Sequence, residues 1–510
     1  MNLKSNFLTG LCCAIFLPQI EVMSQTDTLK LHVLTFEQAA SYMVSNNYNL
    51  KQSSNLISQK QQELKAARGL YLPNVSITAN FVAMSDDINL DMSPVRDAIA
   101  PLYETLGNYG NFSGVLNPDP NTSGAMPVFP DDVSTQIVRG RMLEGLDHLN
   151  AADWNTVIQK KQFGVVNANF VMPIYTGGKI NAANKAAKIE VEEAHTMKSI
   201  KEDELFCELV ERYYGLVLSN HALSVRAEVL NTMEKHRSDA EKMRKYGIIA
   251  DAEYLHAKVY YSEAEREFKK AKRENAIIND AFLNTLSIDT LVNVQPISKL
   301  FYLQIQNDLN YYLEQGAQNS QLLKMIGHKK KLAHQGYQAE KADYMPTLVA
   351  MGTYDIVNKD LSPYIPDYVV GAGLSWSVFD GASRMNKVKA AKFREDQVDD
   401  YLVQTGMNIN LAIQKYYQEM NIQLEQLEDL VSAYEFADEY YRIRTKAYNE
   451  GMSTTTEVAD ASLALAKVKM EKLQAIYNYD VALSKLLFYS GMLSEFGDYQ
   501  NNPNVIYCEF

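Results

Sequence analysis

Two helix-breaking turns of the same design, 204 positions apart, constrain this 510-residue chain more than any other feature. In the later turn, Gly451 is placed to end one helix in the left-handed conformation. Ser453 and the three threonines that follow it offer side-chain oxygens to cap the next helix. Glu457 and Asp460 then lie three positions apart, on one face of that helix and near its positive end. The pattern predicts a helical hairpin whose tip carries acidic side chains.

The earlier turn has the same layout, with Gly247 and Glu253 at the spacing that separates Gly451 from Glu457. The agreement extends upstream of the two turns. Farther upstream, the offset between matching residues changes from 204 to 272. The sequence therefore predicts a tandem duplication whose first copy carries about 68 additional residues. Further matching pairs are Ala186–Lys188 with Ala390–Lys392, Gly177 with Gly381, Tyr213–Tyr214 with Tyr416–Tyr417 and, at the larger offset, Asn47 with Asn319.

Each half of the chain reads as helix, strand, strand, long helix, turn and helix. Thr35 and Gln38 have the spacing of a capping box at the start of the first helix, which continues to about Leu70. Pro73 ends this helix and Pro346 ends its counterpart, because the residue before a proline avoids the helical region.

Four segments of about ten residues alternate apolar with small or polar side chains, which is typical of strands. Gly177 and Gly381 mark the return from strand to helix in the two halves, and Pro173 is expected to close the second strand. The four predicted strands cover Val75–Ala83, Val166–Met172, Leu348–Ile356 and Tyr368–Val378.

Two helices of more than sixty residues follow the strand pairs, from about Asn181 to Tyr246 and from about Ser383 to Asn449. At about 1.5 Å per residue, each spans roughly 100 Å. Apolar residues recur in them at seven-residue steps, which predicts coiled-coil seams. The seam residues are Leu209, Leu216, Leu223 and Leu230 in the first helix and Met420, Leu427, Tyr434 and Tyr441 in the second.

The start of the chain has the layout of a secretory signal, with Lys4 before an apolar stretch and with Val22 and Ser24 at a cleavage site. The alternative is a buried N-terminal helix. Lipidation at Cys12 is disfavoured, because Leu11 is larger than such a site accepts. The predicted organisation is a signal peptide over 1–24, a first repeat over 35–287 with a long loop inserted at about 85–160, a connector over 288–312, a second repeat over 313–491 and a loose tail over 492–510.

Composition excludes several classes of function. The net charge of −13 argues against binding nucleic acid, which requires a basic surface. Cys207 and Cys508, the cysteines that remain after the signal peptide, do not form a disulfide framework. The eight histidines have no metal-ligand spacing, so neither a metal nor another cofactor is expected. Without a nucleophile–base pair or a cofactor loop, an enzyme is not expected either.

The strands have the length and alternation of membrane β-barrel strands, yet four strands cannot close a barrel. Because open strand edges are not tolerated in lipid, membrane strands would have to pair with other copies of the chain. A small water-soluble sheet with one face on a core explains the alternation equally well. The strand pattern by itself leaves these alternatives open.

Taken together, the paired halves, the proline and glycine junctions and the two tip sequences resemble the TolC-like outer membrane factor family over about residues 35–491. The resemblance implies a mainly α fold with a membrane β-barrel portion. It also implies a homotrimer with a twelve-stranded barrel in the lipid of the outer membrane and a twelve-helix tunnel in the periplasm.

The resemblance further implies that Glu457, Asp460 and Glu253 form acidic rings at the tunnel tip and that Tyr448 belongs to the polar lock of a gate. Ser453 departs from the family, which often has a basic residue there, and His256 stands where Asp460 stands in the other half. The alternative is that the acids only favour the helix dipole and that Tyr448 only packs in the seam.

The function that follows from the resemblance is a passive exit channel of a tripartite efflux or type I secretion system, gated at the helix tips. It would work with a periplasmic adaptor and an inner-membrane pump of the RND or ABC type. The alternative is a periplasmic coiled-coil adaptor or scaffold protein of an export complex. The sequence leaves the transported substrate open.

Overall fold

The computed structural model describes residues 33–288, 294–304 and 307–507. The predicted signal peptide and Cys508 lie outside these residues. The described chain is mainly helical, in agreement with the predicted fold class. Its α-helices are α1 Phe36–Asn46, α2 Tyr48–Gly69, α3 Ser93–Tyr109, α4 Asp131–Ala151, α5 Lys179–Lys245, α6 Asp251–Leu286, α7 Leu309–Asn319, α8 Gln321–Ala342, α9 Ser383–Asn449, α10 Thr455–Ser490 and α11 Phe496–Gln500.

The strands form one four-stranded sheet and three two-stranded sheets. In the large sheet the order is β2-β5-β8-β9, and every neighbouring pair is antiparallel. No helix among the described residues is long and apolar enough to cross a membrane. The strands are β1 Val33–Leu34, β2 Asn74–Ala83, β3 Ile88–Asp91, β4 Asn155–Gln159, β5 Gln162–Thr176, β6 Gln295–Pro296, β7 Phe301–Tyr302, β8 Thr347–Lys359, β9 Tyr368–Ser375 and β10 Ile506–Tyr507.

The described residues divide into two compact units. The first unit contains the described part of Met1–Gln52, Ser199–Ser320 and the described part of Met407–Phe510, and therefore both helix turns. The second unit contains Ser53–Lys198 and Gln321–Gly406, and therefore the large sheet. Helices α5 and α9 each contribute residues to both units.

An aromatic cluster forms the core of the first unit around Phe36, whose ring lies 5.4–5.5 Å from the rings of Tyr213, Tyr214 and Phe496. Such pairs add stabilisation beyond their buried area. The hydroxyl of Tyr213 donates to the Leu34 carbonyl at 2.8 Å and accepts the Ser298 and Ile297 backbone N–H groups. Tyr213 thereby joins the start of the described chain to the connector.

The C-terminal segment is ordered by this cluster, so the prediction of a loose tail over 492–510 is wrong for its described part. Phe496 is fully buried, and β10 pairs with β7 in an antiparallel sheet. The sequence of the tail has too few apolar residues for a periodic pattern. Its order comes from a few tertiary contacts, namely the burial of Met492, Leu493 and Phe496 and the pairing of β10 with β7.

The inserted segment is also more structured than predicted, and the expectation of a long loop over 85–160 is wrong. It folds as β3, α3, α4 and β4, with β3 and β4 paired and the two helices packed together. Gly107 of α3 is buried, and a Cβ there would lie 2.8 Å from the Leu143 side chain of α4. The sequence did not predict α3, because Pro94 lies at its start and Pro101 lies inside it, and proline usually interrupts a helix.

Two smaller expectations, on the first helix and on the second strand, also differ from the structure. The first predicted helix is divided at Asn47, whose side-chain amide donates to the Thr285 carbonyl at 2.9 Å and whose oxygen accepts from the Asn49 N–H. Strand β5 continues past Pro173 to Thr176, with a register shift at that proline. Such irregularities are where a sheet accepts proline.

The predicted seam of α5 is only partly right. Leu209 and Leu216 are buried, whereas Leu223 and Leu230 are only partly buried. An α-helix with 3.6 residues per turn drifts by about 20° per heptad relative to a strict seven-residue repeat. The buried face therefore moves to Val225, Val229, Met233, His236 and Ala240.

One carboxyl group is fully buried in the core of the first unit. Asp480 on α10 accepts the Phe301 N–H on one oxygen at 3.4 Å, and the other oxygen has no hydrogen-bond partner among the described residues. Burial raises the pKa of Asp480 well above its ordinary value, although the Phe301 N–H opposes this shift. The group is therefore buried in its neutral form.

We expect Asp480→Asn to stabilise the protein at pH 7, because an amide keeps the polar shape and is already neutral, whereas the aspartate must bind a proton in order to be buried. A raised pKa in the folded state stabilises fully below the unfolded value of about 3.9, and this contribution is lost as pH rises toward the folded value. The melting temperature of the wild type in detergent should therefore fall from pH 5 to pH 8 more steeply than that of Asp480→Asn. Equal slopes for the two proteins would contradict the assignment.

Candidate functional site at the helix turns

The later turn has the geometry that its sequence predicts. Gly451 follows α9 with a φ of +75°, and its N–H donates to the Tyr448 carbonyl at 3.0 Å. The Met452 N–H reaches the Ala447 carbonyl at 2.8 Å, which completes a left-handed helix end. Thr454 then caps α10 by accepting the Glu457 N–H at 3.2 Å.

Glu457 closes a capping box, because its carboxylate accepts the Thr454 N–H at 3.2 Å. The same oxygen accepts the Ser453 hydroxyl and lies 3.3 Å from Nη1 of Arg444 on α9. The Ser453 hydroxyl, followed by the Thr454 N–H and the Arg444 guanidinium, lowers the pKa of Glu457. Glu457 is therefore ionised and bound to a neighbouring arginine.

Asp460 lies one helical turn after Glu457 and is exposed. Its Oδ1 accepts the hydroxyl of Tyr260 on α6 at 3.3 Å, which links the tip of one hairpin to the other. The structure therefore brings Asp460 together with a residue from the opposite half of the chain. The sequence offered no signal for Tyr260, because this contact depends on how α6 and α10 pack.

The earlier turn shares the backbone but not the side-chain contacts. Gly247 has a φ of +71°, and the Ile248 N–H donates to the Met243 carbonyl at 2.9 Å. No side chain caps α6, because Ala250 occupies the cap position. The acid that pairs with an arginine here is Asp251, at 2.5 Å from Nε of Arg244.

The two predicted residues on α6 have fewer contacts than their counterparts on α10. Glu253 lies in the first turn of α6 and is partly buried, whereas His256 is exposed. Among the described residues, Glu253 has no side-chain hydrogen bond or ion pair comparable to those of Glu457. The prediction that Glu253 belongs to an acidic ring therefore stays a prediction.

Tyr448 is buried within the chain, and its ring packs edge-on against His236 of α5 with centroids 5.1 Å apart. The Tyr448 hydroxyl has no hydrogen-bond partner among the described residues. The structure therefore places Tyr448 in the seam and shows no polar lock through its hydroxyl. His236 was missed by sequence reasoning, although its place on the buried stripe of α5 was a usable signal.

The four junction residues lie at the ends of the large sheet, in the second unit. Pro73 stands between α2 and β2, and Pro346 stands between α8 and β8. Gly177 and Gly381 connect strands to long helices, and both have a φ of +66°. Their surroundings differ, because a Cβ on Gly177 would lie 2.9 Å from the Met345 Cβ and closer still to the Ala342 carbonyl, whereas a Cβ on Gly381 would meet no atom within 4 Å.

The described residues contain no group of three or more histidine, cysteine, aspartate or glutamate side chains able to hold a metal ion. The cavity nearest the later turn lies between α5 and α9, has a volume of about 660 Å³ and is lined by both His236 and Tyr448. The site is thus built from helix ends, ion pairs and buried aromatic contacts.

Comparisons with known proteins agree with this architecture. Residues 312–492 match the family described as outer membrane efflux protein. The fold is similar to that of the CmeC outer membrane channel of Campylobacter jejuni, with 11% identity, coverage of 92% of this chain and 89% of that chain, and a TM-score of 0.67. No curated protein matches the sequence.

Two further solved structures have a similar fold at 12% identity. They are the outer membrane protein VceC of Vibrio cholerae, with coverage of 89% of this chain and 96% of that chain and a TM-score of 0.63, and the open-state MtrE outer membrane channel of Neisseria gonorrhoeae, with coverage of 90% and 89% and a TM-score of 0.64. The resemblance to TolC-like outer membrane factors is therefore confirmed by the family match over residues 312–492 and by the fold.

The two junction glycines form a matched pair for mutation. Alanine at either site meets the same left-handed backbone cost of roughly 1–2 kcal/mol, whereas only Gly177→Ala adds a clash with the Ala342 backbone. We expect Gly177→Ala to lower the amount of folded protein and its melting temperature clearly more than Gly381→Ala. Equal losses for the two variants would show that the close approach at Gly177 does not matter.

Proposed function

We propose, on the premise that residues 312–492 belong to the outer membrane efflux protein family, that the whole chain is an outer membrane exit channel of a tripartite export system. It conducts substrates passively from a periplasmic helical tunnel to the cell exterior, and it is gated at the helix turns. The large sheet carries this proposal, because its two faces and its two edges have the properties of a membrane wall.

The first supporting observation is that one face of the sheet is apolar from edge to edge. Directly opposed residues of antiparallel strands share a face. One apolar row crosses all four strands, because each of its residues lies directly opposite the next. The row is Ile77, Ala168, Tyr354 and Tyr368. Val75, Ile77 and Phe81 of β2 are 67–73% exposed, so no part of the chain that the structure describes covers this face along β2. Lipid is the environment that such a face requires.

The opposite face is polar and suits a water-filled interior. Ser76, Asn169 and Thr353 are opposed across β2, β5 and β8. The Asn169 amide donates to the Thr78 hydroxyl at 2.9 Å and accepts the Thr353 hydroxyl at 3.2 Å. A polar ladder on one side and an apolar surface on the other follow the alternation of a membrane barrel strand.

The edges of the sheet support a homotrimer. Strands β2 and β9 each have only one neighbour in the sheet. Unpaired backbone groups at the edge are not tolerated in lipid, so we propose that β9 of one copy pairs with β2 of the next. Three copies then form a twelve-stranded barrel in the outer membrane lipid.

Helix lengths support the duplication on which the tunnel depends. The helices of the two halves agree pair by pair, with 11 residues in α1 and α7, 22 in α2 and α8, 67 in α5 and α9, and 36 in α6 and α10. Three copies then provide twelve long and return helices in the periplasm. The alternative function, an adaptor or scaffold protein, does not explain the exposed apolar face of the sheet.

The helix turns are the proposed gate and the docking end for a periplasmic adaptor and an inner-membrane pump of the RND or ABC type. Gly247 and Gly451 allow sharp tips, while Glu253, Glu457 and Asp460 place acids beside them. The proposal covers both efflux and type I secretion.

The trimer is tested by disulfide crosslinking between edge strands. Val75→Cys and Leu374→Cys, introduced together near the helix end of β2 and β9, should form an oxidised ladder that stops at three chains. The matched control is Ala168→Cys with Tyr354→Cys, two residues opposed within one chain, which should give no ladder. A monodisperse monomer in mild detergent without crosslinked chains would contradict the proposed assembly.

The acidic tips predict a cation preference. Arg444 offsets Glu457 in every chain, so the three copies carry a net charge of about −3 from these residues and Asp460. At roughly 7 Å from the axis, each net charge contributes about 0.6 kcal/mol in water and about 0.25 kcal/mol after screening. The three charges together then contribute about 0.75 kcal/mol, or roughly threefold in local cation concentration. Asp460→Asn should remove this preference in reversal-potential measurements across a planar bilayer, and adding Glu457→Gln should reverse it, because Arg444 is then unpaired.

The control for the cation measurement is Glu439→Gln, an exposed acid paired with Arg442 farther along α9. It removes the same kind of charge away from the turn and should leave the reversal potential unchanged. Glu253→Gln, added to the double variant, tests the remaining predicted ring residue. An unchanged reversal potential in the triple variant would show that these acids only stabilise the helix ends.

A further inference from the structure

We propose that the contact between His236 and Tyr448 is an acid-sensitive latch, which holds α5 against α9 while His236 is neutral and releases it when His236 binds a proton. The release separates the two helices close to their turns. Its consequence for conduction, opening of the channel at acid pH, rests on the proposed function; the latch itself does not.

The first observation is the position of His236 on the helix. It occupies the buried stripe of α5 between Met233 and Ala240, where every other member is apolar. Only 7% of the residue is exposed, and Tyr448, which covers its ring, is only 9% exposed. A charged imidazolium in this position would be largely shielded from water, and no carboxylate among the described residues forms a hydrogen bond or ion pair with it.

The second observation is that the contact lacks hydrogen bonds. Nδ1 of His236, the hydroxyl of Tyr448 and the hydroxyl of Thr445 are all buried and have no partner among the described residues. Buried polar groups are normally paired, and each unpaired group disfavours the closed arrangement. Separation of the helices hydrates all three groups, so the closed contact is poised to open.

The third observation is the cavity beside the contact, which gives water a route to His236. The charged groups that line it are Glu228, Lys235 and Asp239 on α5. Glu228 lies 3.3 Å from Nζ of Lys469, and Asp239 lies 3.3 Å from Nζ of Lys242, so both carboxylates already have cationic partners.

Among the described residues, no carboxylate on the other elements packed nearby bonds to His236, and Asp460 of α10 instead accepts the Tyr260 hydroxyl. Helix α9 lines the cavity with Tyr441, Thr445, Tyr448 and Asn449, none of which carries a negative charge at neutral pH. The preceding turns of α5 pack against Ala264 of α6 and against Ala459 and Ala466 of α10, with the titratable Tyr260 and Tyr261 of α6 at the edge of that cluster.

The electrostatics have the sign that the latch requires. Burial lowers the pKa of His236, and Asp239 opposes this shift while Lys235 adds to it. In the separated state the imidazole is hydrated and regains an ordinary pKa of about 6.5. The closed contact is therefore fully stabilised above about pH 6.5 and is weakened as pH falls toward the lowered value. Within this window, each pH unit shifts the equilibrium by about tenfold per chain.

The experiment is amide hydrogen exchange of the full-length protein in detergent at pH 7.5 and pH 5.5, corrected for the intrinsic exchange rates. Peptides that cover 232–245 and 441–452 should lose protection at pH 5.5 by up to about tenfold in the wild type. His236→Leu, which completes the apolar stripe, should remain protected at both pH values.

The matched control is His256→Gln, because His256 is exposed on α6 close to the same end of the hairpins. It should retain the acid response of the wild type. Equal protection of the wild type at both pH values, or an acid response that survives in His236→Leu, would overturn the latch.

A second variant separates the latch from a hydrogen-bonded lock. Tyr448→Phe removes a hydroxyl that has no partner, so protection at pH 7.5 should stay the same or increase, and the acid response should persist. Loss of protection at pH 7.5 in this variant would show that the hydroxyl holds the helices together and would overturn the proposal.

Bilayer conductance measured on the same proteins distinguishes the two proposals. A conductance that rises at pH 5.5 in the wild type and His256→Gln but not in His236→Leu supports both. Acid-dependent exchange without any conductance supports the latch and contradicts the channel. Conductance that does not depend on pH, together with constant protection, contradicts the latch and leaves the channel.

Discussion

The antiparallel pairing of β5 with β8 is the constraint on which the second unit depends. These strands are more than 170 positions apart in the sequence, and their ladder runs from Gly164 opposite Lys359 to Thr176 opposite Thr347. Because opposed residues share a face, this single register aligns the apolar residues of all four strands on one side. A slip by one residue would mix polar and apolar side chains on both faces. The bulges near Val166 and Pro173 keep the register despite the proline.

The first unit is stabilised by side-chain packing and hydrogen bonds and not by a strand register. Its core is aromatic near Tyr213, where three hydrogen bonds to one hydroxyl and several ring contacts join distant segments. Toward the turns the packing changes to small and aliphatic residues, and finally to the unpaired polar contact of His236 with Tyr448. Stability is not uniform along a structure, and segments with few satisfied contacts open first. The helix ends near the turns have this character, and the aromatic core does not.

The two turns show how a shared backbone acquires different chemistry. Both end a long helix with a left-handed glycine and begin the next helix within four to six residues. The later turn adds a full capping box and the Arg444–Glu457 pair, whereas the earlier turn has an uncapped helix and an ion pair between Arg244 and Asp251. The backbone solution is set by glycine, which no other residue replaces without strain. The side chains around it are free to differ.

The sequence by itself determined the features that depend on local physics. Helix ends at Gly247 and Gly451, the capping box at Thr35 and the alternation of the strands follow from backbone sterics and periodicity, which need no knowledge of distant residues. The tertiary structure alone decided the helical insertion, the ordered tail, the contact of Asp460 with Tyr260, and the burial of His236. Each of these depends on which surfaces meet across long distances in the chain, and hydrophobic and electrostatic contacts between such surfaces leave no periodic trace in a single sequence. The drift of the α5 seam depends on both the sequence and the tertiary structure. The helical period is local, whereas the partner that selects the buried face is not.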